Sequence, residues 1–170
     1  KVLHADETPY QILNRTDGKP ATSQSRIWLF RTIKSAGYPI AYYHADLTRE
    51  RAVATTVLEG FQGYLHCDGY SGYKNIPNVS LVACWAHVRR KFFEIPGNHG
   101  KAKKAVNYCD QISSFEKTIK DLSPEQRQKQ RQLLIKPVIE EFFEWLESFY
   151  VMKGKRQTAV TYALNQKIEL

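Results

Sequence analysis

Two aspartates lie where a carboxylate is unexpected. Asp6 interrupts residues 2–14, which otherwise have a strand-like composition, and Asp68 ends the short apolar run 64–68 just before a glycine-rich loop. Aspartate is disfavoured inside strands. If the two strands are neighbours, the carboxylates converge and can bind Mg²⁺, which prefers oxygen ligands. Two such ions about 3.5–4 Å apart can activate water and stabilise a leaving oxygen at a phosphodiester. Turn or cap roles for both aspartates remain the alternative.

A cationic cluster follows a second apolar run. His87, Arg89, Arg90 and Lys91 come directly after residues 79–85, and such a cluster can hold the phosphates of a nucleic acid. The chain has a net charge of +8 and a pI near 9.4, which fits a polyanionic partner. A solvated basic helix face is an equally simple interpretation, and His87 is as compatible with a core position as with a phosphate contact.

Other chemistries have weaker support in the sequence. Cys84 and His87 have the spacing of half a zinc site, but His66 and Cys67 would point to opposite faces of a strand. Structural zinc needs four converging ligands, so we interpret Cys84 as a small buried apolar residue. The glycine-rich loop lacks the spacing of a phosphate-binding P-loop, and no motif supports a serine or cysteine nucleophile.

The first half of the chain predicts the elements that must position these residues. Strands over 2–14, 26–32 and 40–44 are joined by short turns, as in an antiparallel meander. A helix capped by Thr48 and running to Gly60 comes next, followed by strands over 64–68 and 79–85 and a helix over 87–94. This order predicts an α/β fold with a ribonuclease H-like, mixed five-stranded sheet and flanking helices.

From about residue 100 the pattern becomes helical. Ser123 and Gln126 have capping-box spacing, and Pro137 is suited to opening another helix, which carries an apolar stripe of Val138, Phe142, Trp145/Leu146 and Phe149. A last amphipathic stretch covers 158–166. Four glutamates, at 140, 141, 144 and 147, are predicted to form a solvated face. We therefore expect a core domain over 1–96 and a mostly helical C-terminal insertion over 97–170.

Composition limits the class of protein further. A 170-residue chain with 42% hydrophobic residues can bury a core. No run approaches the ~18 apolar residues of a membrane span. Three irregularly spaced cysteines favour a reducing cytosol. Because the chain opens on Lys1 and its single methionine is Met152, we expect a fragment of a longer protein.

Three segments together resemble one protein family. HADETP at 4–9, GFQGYLHCDGYSGY at 60–73 and CWAHVRRKF at 84–92 resemble, in order, the first-aspartate, second-aspartate and Cys-x-x-His blocks of the insertion sequence 66 (IS66) family of bacterial DDE transposases. The resemblance covers essentially the whole chain. Residues from about 97 to 165 resemble the helical insertion that precedes the family's catalytic glutamate.

The resemblance implies a function and a set of partners. It implies a metal-bound triad of two aspartates, matching Asp6 and Asp68, and one glutamate, with two Mg²⁺ (or Mn²⁺) ions and double-stranded DNA as substrate. The glutamate motif is expected beyond Leu170, since Glu169 lacks its flanking residues. The isolated chain is then expected to be nearly inactive. The full-length protein is expected to be a cytoplasmic, nucleoid-associated homo-oligomer.

Two alternatives remain open at this stage. A ribonuclease H-like nuclease or resolvase would use the same metals without strand transfer. A DNA-binding module without catalysis would retain only the basic surface.

Overall fold

A computed structural model describes residues 1–97, 100–148 and 154–170. The chain divides into two compact units. The first comprises Lys1–Cys84 with Glu169, and the second comprises Trp85–Ile168 with Leu170. Among the described residues, no helix has both the length and the apolar character needed to cross a membrane.

The first unit is built on a mixed five-stranded sheet with the order β3-β2-β1-β4-β5. Strand β1 pairs antiparallel with β2 and parallel with β4, and β4 pairs parallel with β5. The strands are β1 (Val2–Gln11), β2 (Gln24–Thr32), β3 (Ala41–Asp46), β4 (Gly63–His66) and β5 (Val79–Val82). The meander, the crossover and the ribonuclease H-like arrangement are as predicted from the sequence.

One face of this sheet forms the core of the first unit. Side chains alternate between faces along a strand, and Ala5, Trp28 and Leu65 are all buried on the same side. They belong to one cluster with Val53 and Ala54 of helix α1 (Arg51–Val57). The opposite face of the sheet carries the alternate residues of β1, and Asp6 is one of them.

Helix α1 begins later than predicted. The residue at its N-cap is Glu50, and no side chain caps it. The predicted cap, Thr48, instead donates its backbone N–H and its hydroxyl to Asp46 Oδ1, at 2.8 and 2.9 Å. The prediction was wrong because this nearby carboxylate accepts both of the donors of Thr48. Strand β5 is also shorter than predicted, since Trp85 already belongs to a helix.

The second unit is helical, as the sequence pattern predicted. Its helices are α2 (Trp85–Phe93), α3 (Lys101–Thr118), α4 (Pro124–Gln130), α5 (Lys136–Glu147) and α6 (Lys155–Asn165). Ser123 forms the predicted capping box with Gln126. A π-helical segment, Arg131–Ile135, joins α4 to α5.

The core of the second unit forms around α5. Val138, Phe142 and Leu146 of the predicted stripe are buried, Trp145 is partly buried, and Phe149 lies outside the described residues. The four glutamates of this helix are all exposed, as expected of a solvated face.

Candidate active site

The two aspartates singled out by the sequence lie on neighbouring strands, with Asp6 inside β1 and Asp68 two residues past the end of β4. Strands β1 and β4 run parallel, with His4 opposite His66 as the last paired residues. Asp6 and Asp68 each lie two positions beyond that pair. The condition for convergence, that their strands be adjacent and point the same way, is therefore met. A role for these residues in metal binding or catalysis remains a prediction.

Backbone groups orient both carboxylates. Asp6 Oδ1 accepts a hydrogen bond from the Glu7 N–H at 2.9 Å. Asp68 Oδ1 accepts one from the Tyr70 N–H at 2.8 Å, which fixes the turn into the 3₁₀ helix Ser71–Tyr73. Asp68 thus has a turn role, which the sequence left open as the alternative to metal binding.

The donor chemistry of this strand end suits a hard cation. Carboxylate oxygens are the side-chain ligands that Mg²⁺ uses, and Mg²⁺ keeps several waters when few protein ligands are present. Within the described ranges, no group of three or more His, Cys, Asp or Glu side chains is arranged to hold a metal ion. Metal binding by Asp6 and Asp68 therefore stays a prediction that rests on the chemistry of two carboxylates.

A third carboxylate, which the sequence reasoning missed, lies beside this site. Glu7 has the parity of Ala5 and faces the core side of the sheet, with only 1% of its side chain exposed. Its carboxylate accepts hydrogen bonds from the Tyr73 hydroxyl and from Arg49 Nε, both at 2.7 Å. Strand alternation was the available signal, because a glutamate on the buried face of a strand needs partners.

Arg49 lies between the buried carboxylate of Glu7 and the half-buried carboxylate of Asp68. The terminal nitrogen Nη2 that binds Glu7 also lies 3.9 Å from Asp68 Oδ2. The guanidinium also stacks on the Tyr70 ring, 4.0 Å from the centroid, and the Tyr70 hydroxyl donates to the Arg49 carbonyl. A fixed cation therefore lies next to one of the two candidate metal ligands.

Burial dominates the electrostatics around Glu7. Desolvation raises the pKa of Glu7, and the nearby charge of Asp68 adds to this, while the bonds from Tyr73 and Arg49 act in the opposite direction. The pKa of Tyr73 is also raised, first by burial and then by its bond to Glu7. Burial raises the pKa of Cys67 to about 12, so this thiol is protonated at neutral pH and is a poor nucleophile.

Two histidines lie in contact on the sheet face that carries Asp6. His4 Nδ1 and His66 Nδ1 are 3.1 Å apart, and the ring centroids are separated by 4.8 Å. Burial, together with the charges of His66 and Arg31, lowers the pKa of His4. Cys67 is buried in the core instead, which agrees with the expectation that His66 and Cys67 point to opposite faces.

The predicted DNA-binding residues lie on α2, in the second unit. Arg89 donates from Nε to Asp110 Oδ1 at 2.6 Å, so its charge is already paired within the protein. Lys91 is exposed and lies 5.4 Å from the centre of the Tyr162 ring. Arg90 is also exposed, and His87 is half-buried. Their contacts with DNA remain a prediction.

The order and directions of the five strands place the protein in the class of ribonuclease H-like α/β domains. The sequence model of the transposase IS66 family matches residues 1–170. The chain therefore belongs to the IS66 family of transposases, as its three motifs indicated.

Relatives of this chain occur in Sinorhizobium fredii. The uncharacterized protein y4qI is 28% identical over 184 residues, which cover 97% of this chain and 34% of the relative. The uncharacterized protein y4hP is 30% identical over 184 residues, which cover 93% of this chain and 32% of the relative. The chain thus spans about a third of the length of these relatives. No solved structure matches it.

Proposed function

We propose that this chain is the central part of a transposase catalytic domain that cuts and joins DNA. In the full-length protein, hydrolysis of a phosphodiester at the end of the element frees a 3′-hydroxyl, which then attacks target DNA. The parallel pairing of β1 with β4 supports this proposal, because Asp6 and Asp68 each follow the paired residues His4 and His66 by two positions in a chain of a transposase family.

Asp6 and Asp68 would hold Mg²⁺ or Mn²⁺. Two such ions, when bound, lower the pKa of the attacking hydroxyl and neutralise charge on the leaving oxygen. The backbone N–H groups of Glu7 and Tyr70 hold the two carboxylates in place before any ion arrives. The third acidic ligand would be a glutamate of the full-length protein outside residues 1–170, so the isolated chain is expected to be nearly inactive.

DNA would be held by backbone contacts that carry no sequence information. Arg90 and Lys91 are exposed on α2 and are suited to contact phosphates. Arg89 would have to exchange its bond with Asp110 for a phosphate, and His87 is the fourth candidate. The net charge of +8 favours binding of double-stranded DNA. We further propose a homo-oligomer that acts in the bacterial cytoplasm, at the nucleoid.

The test uses the full-length protein that carries this chain and labelled DNA with the ends of its own element. With Mg²⁺ or Mn²⁺ we expect both cut and joined products. Asp6→Asn and Asp68→Asn should each abolish both products while leaving DNA binding intact. Asp121→Asn is the matched control, because Asp121 is 88% exposed and should be dispensable.

Other outcomes point to other functions. Cut products without joined ones would favour a nuclease or resolvase. DNA binding without metal-dependent cutting would favour a DNA-binding module. Full activity of both Asp6→Asn and Asp68→Asn would overturn the assignment of the site.

A further inference from the structure

Arg49 is held beside the candidate site by two segments of the chain, β1 and the loop that follows β4. Glu7 contacts it from β1, Asp68 lies beside it in the loop after β4, and Tyr70 packs its ring against the guanidinium from the same loop. The Tyr70 hydroxyl also binds the Arg49 backbone carbonyl. Side chain and backbone of Arg49 are therefore both positioned, although Arg49 lies outside every regular element.

Part of this arrangement has a structural explanation. A carboxylate as buried as Glu7 requires a cation or several hydrogen bonds, and Arg49 supplies Nε and one terminal nitrogen. A guanidinium has five N–H donors in a planar fork. The hydrogen bonds to Glu7 therefore account for only some of the N–H donors of the Arg49 guanidinium.

The Arg49 side chain remains partly accessible, and its Nη2, which also binds Glu7, lies near Asp68. The Arg49 side chain is 41% exposed, whereas Glu7 is 1% exposed. The separation of 3.9 Å between Arg49 Nη2 and Asp68 Oδ2 exceeds hydrogen-bonding distance, and the hydrogen bonds to Glu7 use only Nε and Nη2. An oriented, partly exposed arginine fork has the geometry that binds two oxygens of one phosphate.

We propose that Arg49 binds a backbone phosphate of the DNA at the candidate site, and that Glu7 is the positioning residue that holds the guanidinium for this contact. The inference rests on the proposed function, since it takes DNA as the substrate. This phosphate contact lies in the first unit, beside Asp68, and is additional to those proposed for the residues on α2. The contact depends on charge and on the fork, not on the identity of the bases.

The experiment measures DNA affinity of the full-length protein by fluorescence anisotropy over a range of salt concentrations, without divalent metal. Each phosphate contact contributes about 0.9 to the slope of log K against log salt. Arg49→Gln should therefore reduce the slope by about 0.9. Arg49→Lys should keep the slope but weaken binding by about tenfold, because the fork is lost. Glu7→Gln should weaken binding while leaving the slope unchanged.

Arg131→Gln is a matched control, because Arg131 is also half-exposed and paired with a glutamate, Glu116. It should bind DNA with the slope of the wild type. Circular dichroism establishes that each variant is folded. If Arg49→Gln does not fold, Arg49→Lys decides, and wild-type affinity of that variant overturns the proposal.

The outcomes separate this proposal from the one on which it rests. A wild-type protein that binds DNA, with an unchanged slope in folded Arg49→Gln, overturns the phosphate contact alone. A wild-type protein that does not bind DNA overturns both. A reduced slope in a protein that never cuts DNA supports the Arg49 contact while removing the transposase mechanism.

Discussion

Replacing Arg49 by methionine should destabilise the fold through Glu7. The variant keeps much of the length of the side chain, but leaves a carboxylate that is 1% exposed without its cation. Hydrogen bonds to charged groups contribute about 1.5–3 kcal/mol each, and loss of one partner of a fully buried pair costs about 3–5 kcal/mol. Because Arg49 itself is 41% exposed, we expect a loss of about 1–3 kcal/mol at neutral pH.

The loss should depend on pH with a defined sign. Burial raises the pKa of Glu7 above its ordinary value of 4.5, so the stability associated with this group is complete below that value and is lost as pH rises through the folded-state pKa. Arg49 counteracts the rise. Without Arg49, the pKa of Glu7 in the folded state should be higher still. The cost of Arg49→Met should therefore be small near pH 4.5 and grow toward pH 8.

Urea unfolding of four proteins measures the effect: the wild type, Arg49→Met, Glu7→Gln and the double variant. In the Glu7→Gln background, Arg49→Met should cost little and show no pH dependence, because no buried charge remains. The difference between the two backgrounds gives the coupling energy. A coupling near zero at pH 8, or a larger cost of Arg49→Met at pH 4.5 than at pH 8, would refute the reasoning.

Three further predictions concern parts of the chain away from Glu7. Ser123→Ala removes the capping box of α4 and should lower the free energy of unfolding, measured in urea, by about 1 kcal/mol. The control Ser114→Ala, at an exposed serine, should lower it less, and equal losses would argue against the cap. Phe142→Ala empties a fully buried position and should cost about 3–5 kcal/mol, so a calorimetric melting temperature unchanged from wild type would contradict its place in the core. Cys67, with a pKa of about 12, should react with iodoacetamide at pH 8 far more slowly than the half-buried Cys84. Peptide mass mapping over time measures the two labelling rates, and faster labelling of Cys67 would contradict its burial.

Patterns that are local in sequence were sufficient to predict most of the fold. The change from alternating to helical periodicity separated the sheet from the helices, and the order of elements predicted a mixed sheet in which β1 and β4 could be neighbours. The oddity of an aspartate in a strand then identified Asp6 and Asp68 as a pair. These inferences depend only on the composition of each segment and on general rules of chain connection.

The environment of the site was not predictable in the same way. Glu7 and Arg49 are 42 positions apart, and no local pattern indicates that they pair. The predicted start of α1 was wrong for a related reason, because the hydroxyl of Thr48 binds Asp46 instead of capping the helix. In both cases a polar side chain had several possible partners, and tertiary packing selected one of them.

The most direct test of the account is the position of Mn²⁺ in a crystal of the protein, located by anomalous scattering. The account predicts a peak about 2 Å from carboxylate oxygens of both Asp6 and Asp68, just past the C-terminal end of β4. Asp6 and Asp68 pointing apart on an ordered sheet, with no Mn²⁺ between them at saturating concentration, would contradict the metal site and leave DNA binding without catalysis as the better account.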